Sequence, residues 1–320
     1  MIGVDIRANH YPAMVDVVVV AYNSDDALRR SLPLARQIAG VKRVVVVNNG
    51  TEASTARLAR DLGAEVIEAP GNPGFGTGQN MGVKQGNAPY LLLLNPDAEP
   101  VPSAVAAGLE WLSAHPDVAA VQGVITNRGD GRPERSQGRE LGAAHLLGRA
   151  LGLRRLLRWP AVGALGRRVG WMRDHVDRVP IAPQEVETLA ATAVLMRRSA
   201  FRQVDGFDER YFLYGEDLDL CRRLRAAGWR LVALPSDWAR HTSGGSSNTW
   251  FDRELRWWQG TLQFAACWWG PAAWSASRAA AGMQWVRMAL STPRRSGEAW
   301  RALLAAPRRL RRADHSGRTA

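Results

Sequence analysis

Residues 90–100 read Tyr-Leu-Leu-Leu-Leu-Asn-Pro-Asp-Ala-Glu-Pro. Four successive leucines without polar alternation mark a strand buried on both faces, as in a sheet covered by helices on either side. The run ends at once in Asn95-Pro96-Asp97, residue types that favour turns. Ligands of open α/β sheets collect outside the carboxyl ends of the strands. Asp97 therefore stands where a carboxylate can hold a divalent cation against a diphosphate.

The same pattern extends outward in both directions. Apolar runs at Val15–Ala21, Arg43–Val47, Ala64–Glu68 and Val118–Val124 predict further strands, alternating with helical stretches at Asp25–Ile38, Ser54–Leu62, Thr77–Gln85 and Pro102–Ala114. Ser24 and Ser103 stand as helix caps or first-turn residues. Residues 15–125 thus read as an α/β half of nucleotide-binding type, preceded by a tail at 1–14. The rhythm breaks at Asn-Arg-Gly-Asp-Gly-Arg-Pro-Glu-Arg-Ser-Gln-Gly, residues 127–138, and seven arginines follow between Arg149 and Arg173, so 126–180 is expected to be a basic insertion or lid. A strand at Val186–Met196, a helix from Glu216 to Ala227 and a strand at Trp229–Leu234 restore order over 181–247. Residues 248–312 are helical and rich in Trp and Arg, and 313–320 read as a disordered tail.

With 320 residues, 46% of them apolar, the chain can bury a sizeable core, which excludes disorder throughout. Two cysteines, Cys221 and Cys267, exclude a disulfide framework and a four-thiolate zinc site. The N-terminus lacks the order of a secretory signal, and no run of twenty strongly apolar residues exists, so the expected location is cytoplasmic. The net charge is +12, and residues 271–320 carry ten arginines against Glu298 and Asp314, a local +8. Arginine beside Trp250, Trp257, Trp258, Trp268, Trp269, Trp274, Trp285 and Trp300 suits an anionic bilayer surface, and 248–312 is expected to associate peripherally with the inner face of the membrane. No nucleic-acid module accompanies this basic tail, and the charge lies outside the α/β part, so nucleic-acid binding is not expected.

Two further segments carry chemistry. Gly71-Asn-Pro-Gly-Phe-Gly-Thr-Gly-Gln-Asn-Met-Gly82 would let backbone approach a ligand closely before a helix starts. It lacks the Gly-Lys-Ser/Thr of a P-loop, and the first strand is followed by Tyr22-Asn23-Ser24 rather than by glycines, which disfavours NAD. In Val204-Asp-Gly-Phe-Asp-Glu-Arg-Tyr-Phe-Leu-Tyr-Gly-Glu-Asp217, the acids Glu216 and Asp217 open a helix behind an aromatic turn. They are helix-capping types, and equally a pair presented as a base at a cleft floor.

Taken in order, these segments resemble family 2 glycosyltransferases of the GT-A fold, in particular the rhamnosyltransferase-like members of bacterial cell-envelope assembly. The resemblance spans about Val15 to Ser247. It rests on Val-Ala-Tyr-Asn-Ser at 20–24, Val-Asn-Asn-Gly at 47–50, Asn72-Pro73-Gly74-Phe75-Gly76-Thr77-Gly78-Gln79-Asn80, Asn95-Pro96-Asp97, Gly206-Phe207-Asp208-Glu209, Glu216-Asp217, and His241 before Gly244-Gly245-Ser246. It implies an α/β fold of the nucleotide-diphospho-sugar transferase type, with a mostly parallel central sheet flanked by helices and a helical C-terminal extension.

The resemblance further implies that Ala21, Tyr22 and Asn23 line the nucleotide base and ribose, and that Asn49 with its neighbour Asn48 caps the base, where the family usually has Asp-Asn. Gly74, Phe75, Gly76 and Asn80 would pack near the nucleoside and diphosphate. Asp97 matches the last acid of the metal-binding element whose first acid is Asn95 here, and His241 would complete the shell of Mg²⁺ or Mn²⁺ or touch the diphosphate. Asp217 is the expected base, with Glu216 orienting it or meeting the acceptor. The reaction implied is transfer with inversion of a sugar from a nucleotide-diphospho-sugar donor, L-rhamnose from dTDP-rhamnose or a sugar from UDP-galactose, UDP-glucose or UDP-N-acetylglucosamine. The acceptor would be a glycan or polyprenyl-diphosphate-linked precursor. The changes at Asn48 and Asn95 leave open a catalytically silent membrane scaffold, against which Asp97, Asp217 and His241 speak.

Overall fold

The computed structural model describes residues 14–152, 179–242 and 249–304. The tails expected at 1–14 and 313–320 and the Gly244-Gly245-Ser246 motif fall outside these residues, except for Met14. The run Tyr90–Leu94 is a strand (β4) in a nine-stranded mixed sheet. Beside it lie β1 (Val15–Ala21), β2 (Val41–Asn48) and β3 (Glu65–Glu68), all parallel, in the order β3-β2-β1-β4. Beyond β4 the order continues with β10 (Ala193–Arg197), β6 (Val118–Asn127), β11 (Arg230–His241) and β5 (Ala98–Pro100), with β10 antiparallel to both neighbours and β6 parallel to β11.

The leucines of β4 divide between two cores, as a strand buried on both faces requires. Leu92 and Leu94 join Val15, Val17 and Val19 under helices α1 (Asp25–Arg36), α2 (Ala53–Asp61) and α4 (Pro102–Ala114), which contribute Leu28, Leu32, Leu58, Leu109 and Leu112. Leu91 and Leu93 join Val18 on the other face, under α3 (Phe75–Lys84), α6 (Arg198–Gln203) and α7 (Glu216–Ala226), through Val83, Phe201, Leu220 and Leu224. Ser24 occupies the N-cap position of α1, but its hydroxyl donates to the Tyr22 carbonyl instead of accepting from the helix, and Ser103 lies in the first turn of α4.

The strand expected over Val186–Met196 is three short pieces, because three partners claim it. Gln184–Val186 (β8) joins the main sheet beside β11, Thr188–Leu189 (β9) pairs with β7 (Gln137–Gly138), and β10 enters the main sheet between β4 and β6. The strand expected to stop at Leu234 instead runs on to His241. Its register slips between Ala233 and Asp237, around Pro235, and its far end then pairs with β5, setting His241 opposite Ala98.

Helices α5 (Ala143–Ala150), α8 (Trp250–Trp268), α9 (Pro271–Ser291) and α10 (Ser296–Leu304) form a helical layer, and α5, α8 and α9 enclose a third core. Trp258, Trp274 and Trp285 are buried in that core with Phe251, Leu262 and Met288. The expectation that these indoles sit at a membrane surface is therefore corrected, since they fill a protein core instead. Trp257 lies under the Arg149 guanidinium, 4.0 Å from the ring centroid, and Trp268 donates its indole N–H to Asp219 at 2.7 Å. Trp250 and Trp300 are the exposed tryptophans among the described residues. No helix among these residues is long and apolar enough to cross a membrane.

The described part of 126–180, expected to be a basic insertion or lid, packs against the rest of the chain. Glu140 is held by both Arg222 and Arg225 of α7, and α5 supplies Leu146 and Ala150 to the third core. Residues 153–178 lie outside the described residues.

Candidate active site

The carboxyl ends of β1, β2 and β4 open into a cleft of about 850 Å³. Tyr22, Asn23, Asn49, Asn95, Asp97, Tyr214, Glu216 and Asp217 line it, and His241 does so beside Asp97. Chain segments far apart in sequence thus converge on one space, as the strand-end rule requires.

Asp97 and His241 are brought together by the short antiparallel pairing of β5 with the end of β11. The backbone N–H of Thr242 donates to the Asp97 carbonyl at 3.2 Å, and the His241 Nε2 lies 3.2 Å from Asp97 Oδ1. On its other side the imidazole Nδ1 lies 2.7 Å from Glu134 Oε2. Burial alone would lower the imidazole pKa, but hydrogen bonds to Asp97 and Glu134 outweigh it and raise the value to about 9. Without a cation the ring is then an imidazolium neutralising two carboxylates, and a cation bound beside Asp97 would displace the Nε2 proton.

Among the described residues no group of three or more His, Cys, Asp or Glu side chains is arranged to hold a metal ion. What the cleft offers is one carboxylate and one imidazole nitrogen. That donor set fits a divalent cation whose remaining ligands come from diphosphate oxygens and water. Glu134 engages Nδ1, on the side of the ring away from Asp97, so it is not part of the same donor face.

Glu216 and Asp217 open α7 behind Gly215, which has a left-handed backbone, as has Tyr214 at φ 67°. Burial, reinforced by the Asp217 charge, holds the Glu216 carboxyl well above the usual carboxylate range. Its Oε2 is buried without a hydrogen-bond partner. Burial also raises Asp217, opposed by backbone N–H donors, among them that of Leu218 at 2.8 Å from Oδ1. Asp217 retains partial exposure, while Glu216 is buried, and both line the cleft.

Four expected contacts are not made with the cleft. Ala21 is wholly buried at the end of β1. Asn48 donates to Glu68 at 2.8 Å and accepts from the Gly50 N–H at 3.1 Å, so its amide braces β2 against β3. Asn80 donates to the Phe207 carbonyl at 2.9 Å and accepts from the Phe207 N–H at 3.0 Å, pinning the Gly-Phe-Asp turn. Gly76 packs under that same Phe207 and beside Glu216. The glycine-rich loop therefore supports the acid pair from below as well as edging the cleft.

Gly74 and Phe75 do line it, but the Phe75 N–H donates to the Phe212 carbonyl at 2.9 Å and is not free for a phosphate. A Cβ on Gly74, at φ +98°, would meet that carbonyl oxygen at 2.5 Å, which is why glycine stands there. Asn49 donates to the Gly74 carbonyl at 2.9 Å and so ties the second strand to this loop.

Several lining residues were not legible beforehand. Arg256, on α8, faces the cleft with its guanidinium 5.3 Å from the Phe212 ring centroid, and Asp252, Arg30 and Thr192 also contribute. Helix α8 meets the acid-bearing turn backbone to backbone: a Cβ on Gly260 would lie 1.9 Å from the Tyr214 carbonyl oxygen. The helical layer is thus a wall of the site. The Asp252 and Arg256 spacing of i, i+4 placed them on one helix face, but nothing in the sequence said which face met the cleft.

The family model for glycosyltransferase-like family 2 matches residues 12–260. The chain belongs to that family. An N-acetylglucosaminyl-diphospho-decaprenol L-rhamnosyltransferase of Mycobacterium tuberculosis is 29% identical over 287 residues, covering 78% of this chain and 88% of the relative. A rhamnosyltransferase of Escherichia coli, WbbL, is 42% identical over 72 residues, 22% of this chain and 27% of that one. Both relatives are rhamnosyltransferases by name. In fold this family 2 glycosyltransferase resembles a mannosyltransferase from Pyrobaculum calidifontis solved in complex with GDP-Man and Mn²⁺, with a TM-score of 0.53 and 16% identity over 92% of this chain and 86% of that one. The GT-A architecture expected from the sequence is what the glycosyltransferase has.

Proposed function

We propose that this glycosyltransferase moves L-rhamnose, with inversion and with help from Mg²⁺ or Mn²⁺, from dTDP-rhamnose to a polyprenyl-diphosphate-linked glycan precursor. The observation that supports the reading is that Asp217, Glu216, Asp97, His241, Tyr22, Asn23 and Asn49 all line one cleft. The relatives that transfer rhamnose, one of them to a diphospho-decaprenol-linked sugar by its name, support the choice of donor and acceptor class. UDP-galactose, UDP-glucose and UDP-N-acetylglucosamine are the competing donors.

In this reading Asp97 and His241 hold the cation, which when bound neutralises charge on the departing diphosphate. Tyr22, Asn23 and Asn49 hold the nucleoside. Asp217, partly exposed and desolvated, takes the proton from the acceptor hydroxyl. The hydroxyl oxygen forms its bond to the anomeric carbon from the face opposite the diphosphate, whose oxygen leaves with the bonding pair, so the configuration inverts. Glu216, buried beside Asp217, restricts its orientation. Arg256 supplies a cation at the cleft mouth for the diphosphate of donor or acceptor.

The acceptor class explains an exposed feature of the helical layer. Met283, Val286, Leu290 and Trp300 are exposed. Arg294 and Arg301 accompany them, an arrangement suited to peripheral contact with an anionic bilayer on the cytoplasmic side. The test is a panel of nucleotide sugars with Mn²⁺, Mg²⁺ or chelator, scored by thermal shift and by transfer to a polyprenyl-diphosphate-linked sugar. Metal-dependent stabilisation and turnover with dTDP-rhamnose are expected. Turnover with a UDP-sugar alone would replace the donor assignment, and full activity in chelator would remove the metal.

A further inference from the structure

We infer that Glu134 is a positioning residue for His241: it fixes the imidazole so that Nε2, and not Nδ1, faces Asp97 and the cation site. The inference rests on the reading of Asp97 and His241 as cation ligands. Glu134 lies in the polar run at 127–138, where nothing distinguished it from turn residues.

The geometry singles it out. Residues Ile125 to Glu134 form a hairpin closed by the Glu134 N–H on the Ile125 carbonyl at 2.7 Å and a bridge between Thr126 and Pro133. The Arg128 N–H donates to the His241 carbonyl at 2.9 Å, so the hairpin is fastened to the histidine's own backbone. Glu134 is fixed in turn, since its Oε1 accepts from the Asn127 amide at 3.1 Å while Oε2 faces Nδ1 at 2.7 Å. The imidazole is 12% exposed and its two carboxylate partners lie on its two nitrogens.

An imidazole that gives its Nδ1 proton to a carboxylate presents a lone pair at Nε2 and cannot rotate without losing that bond. It is also a stronger electron donor than one facing water. Removing such an outer carboxylate costs about 10- to 100-fold in metal affinity in other proteins. Glu134 thus selects one tautomer and one ring orientation without touching the cation.

The test measures Mn²⁺ binding by electron paramagnetic resonance, in the presence of dTDP and separately of UDP, for wild type, Glu134→Ala, Glu134→Gln and Asp97→Asn. The imidazole tautomer of the metal-free proteins is read from ¹⁵N-histidine NMR at a pH where the ring is neutral. Glu134→Ala is expected to weaken Mn²⁺ about 10-fold or more and to mix the tautomers, with Tm close to wild type. Glu134→Gln, which keeps an acceptor oxygen, is expected to recover most of the affinity and the single tautomer. Wild-type affinity and tautomer in Glu134→Ala, with binding lost in Asp97→Asn, would overturn the role of Glu134 alone. Unchanged affinity in Asp97→Asn would overturn the cation site and this inference with it.

Discussion

The parallel half of the sheet and the helical layer both bury large apolar side chains, yet only the first announced its place. In β4 the leucines have one physical solution, a strand covered on both faces. In α8 and α9 the tryptophans had two, a bilayer surface or a third core, because an amphipathic Trp/Arg helix satisfies both. The structure chooses the core for Trp258, Trp274 and Trp285, and places α8 against the acid-bearing turn. The difference teaches that composition identifies a buried face but not what buries it.

The largest expected effect sharpens this contrast. Trp258 is fully buried, and its indole N–H donates to buried Glu254 at 3.0 Å, so Trp258→Ala should destabilise the protein by about 3–5 kcal/mol, measured by urea unfolding. A loss below about 1 kcal/mol would return this tryptophan to the surface. Next, Gly260→Ala puts a methyl against the Tyr214 carbonyl and displaces the turn before Glu216. Turnover should fall about 100-fold while nucleotide binding at the β1–β2 end persists. Equal loss of both would mean that the helical layer supports the whole fold and not the acid pair in particular.

How much was legible follows the same division. The strand ends, Asp97 and the Glu216-Asp217 pair were readable because local pattern and residue type decide them. His241 was named, but its neighbour Glu134 was hidden in a polar run, and only the pairing of β5 with the end of β11 beyond Pro235 brings Asp97 and His241 together. Asn48 and Asn80 were placed at the ligand, yet each amide is engaged in bracing neighbouring chain. Sequence shows that such an amide must find partners. It does not show whether the partner is ligand or protein.

The acid pair gives a smaller effect with a definite sign. Both carboxyls are raised in the fold, so their contribution to stability is complete below the unfolded pKa and lost as pH rises through the folded one. Glu216→Gln should therefore raise Tm by about 2 °C at about pH 8, where the wild-type pair carries charge, and leave it unchanged near pH 4. Because Gln resembles protonated Glu216, the acid limb of kcat/KM, lying above the ordinary carboxylate range, should stay in place. A limb moving down by about a unit would show that the two carboxyls share the titration. Smallest of all, exposed Trp300→Ala should change stability by less than about 0.5 kcal/mol while weakening sedimentation with anionic vesicles. Vesicle binding equal to wild type would leave this surface without a membrane role.

The central claim is that Asp217 removes the acceptor proton in a site whose donor-binding parts lie elsewhere. Single-turnover transfer and donor binding, compared in wild type and Asp217→Asn, test it most directly. The account predicts turnover reduced about 100- to 10,000-fold with donor affinity within about twofold of wild type. Turnover at the wild-type rate in Asp217→Asn would contradict it.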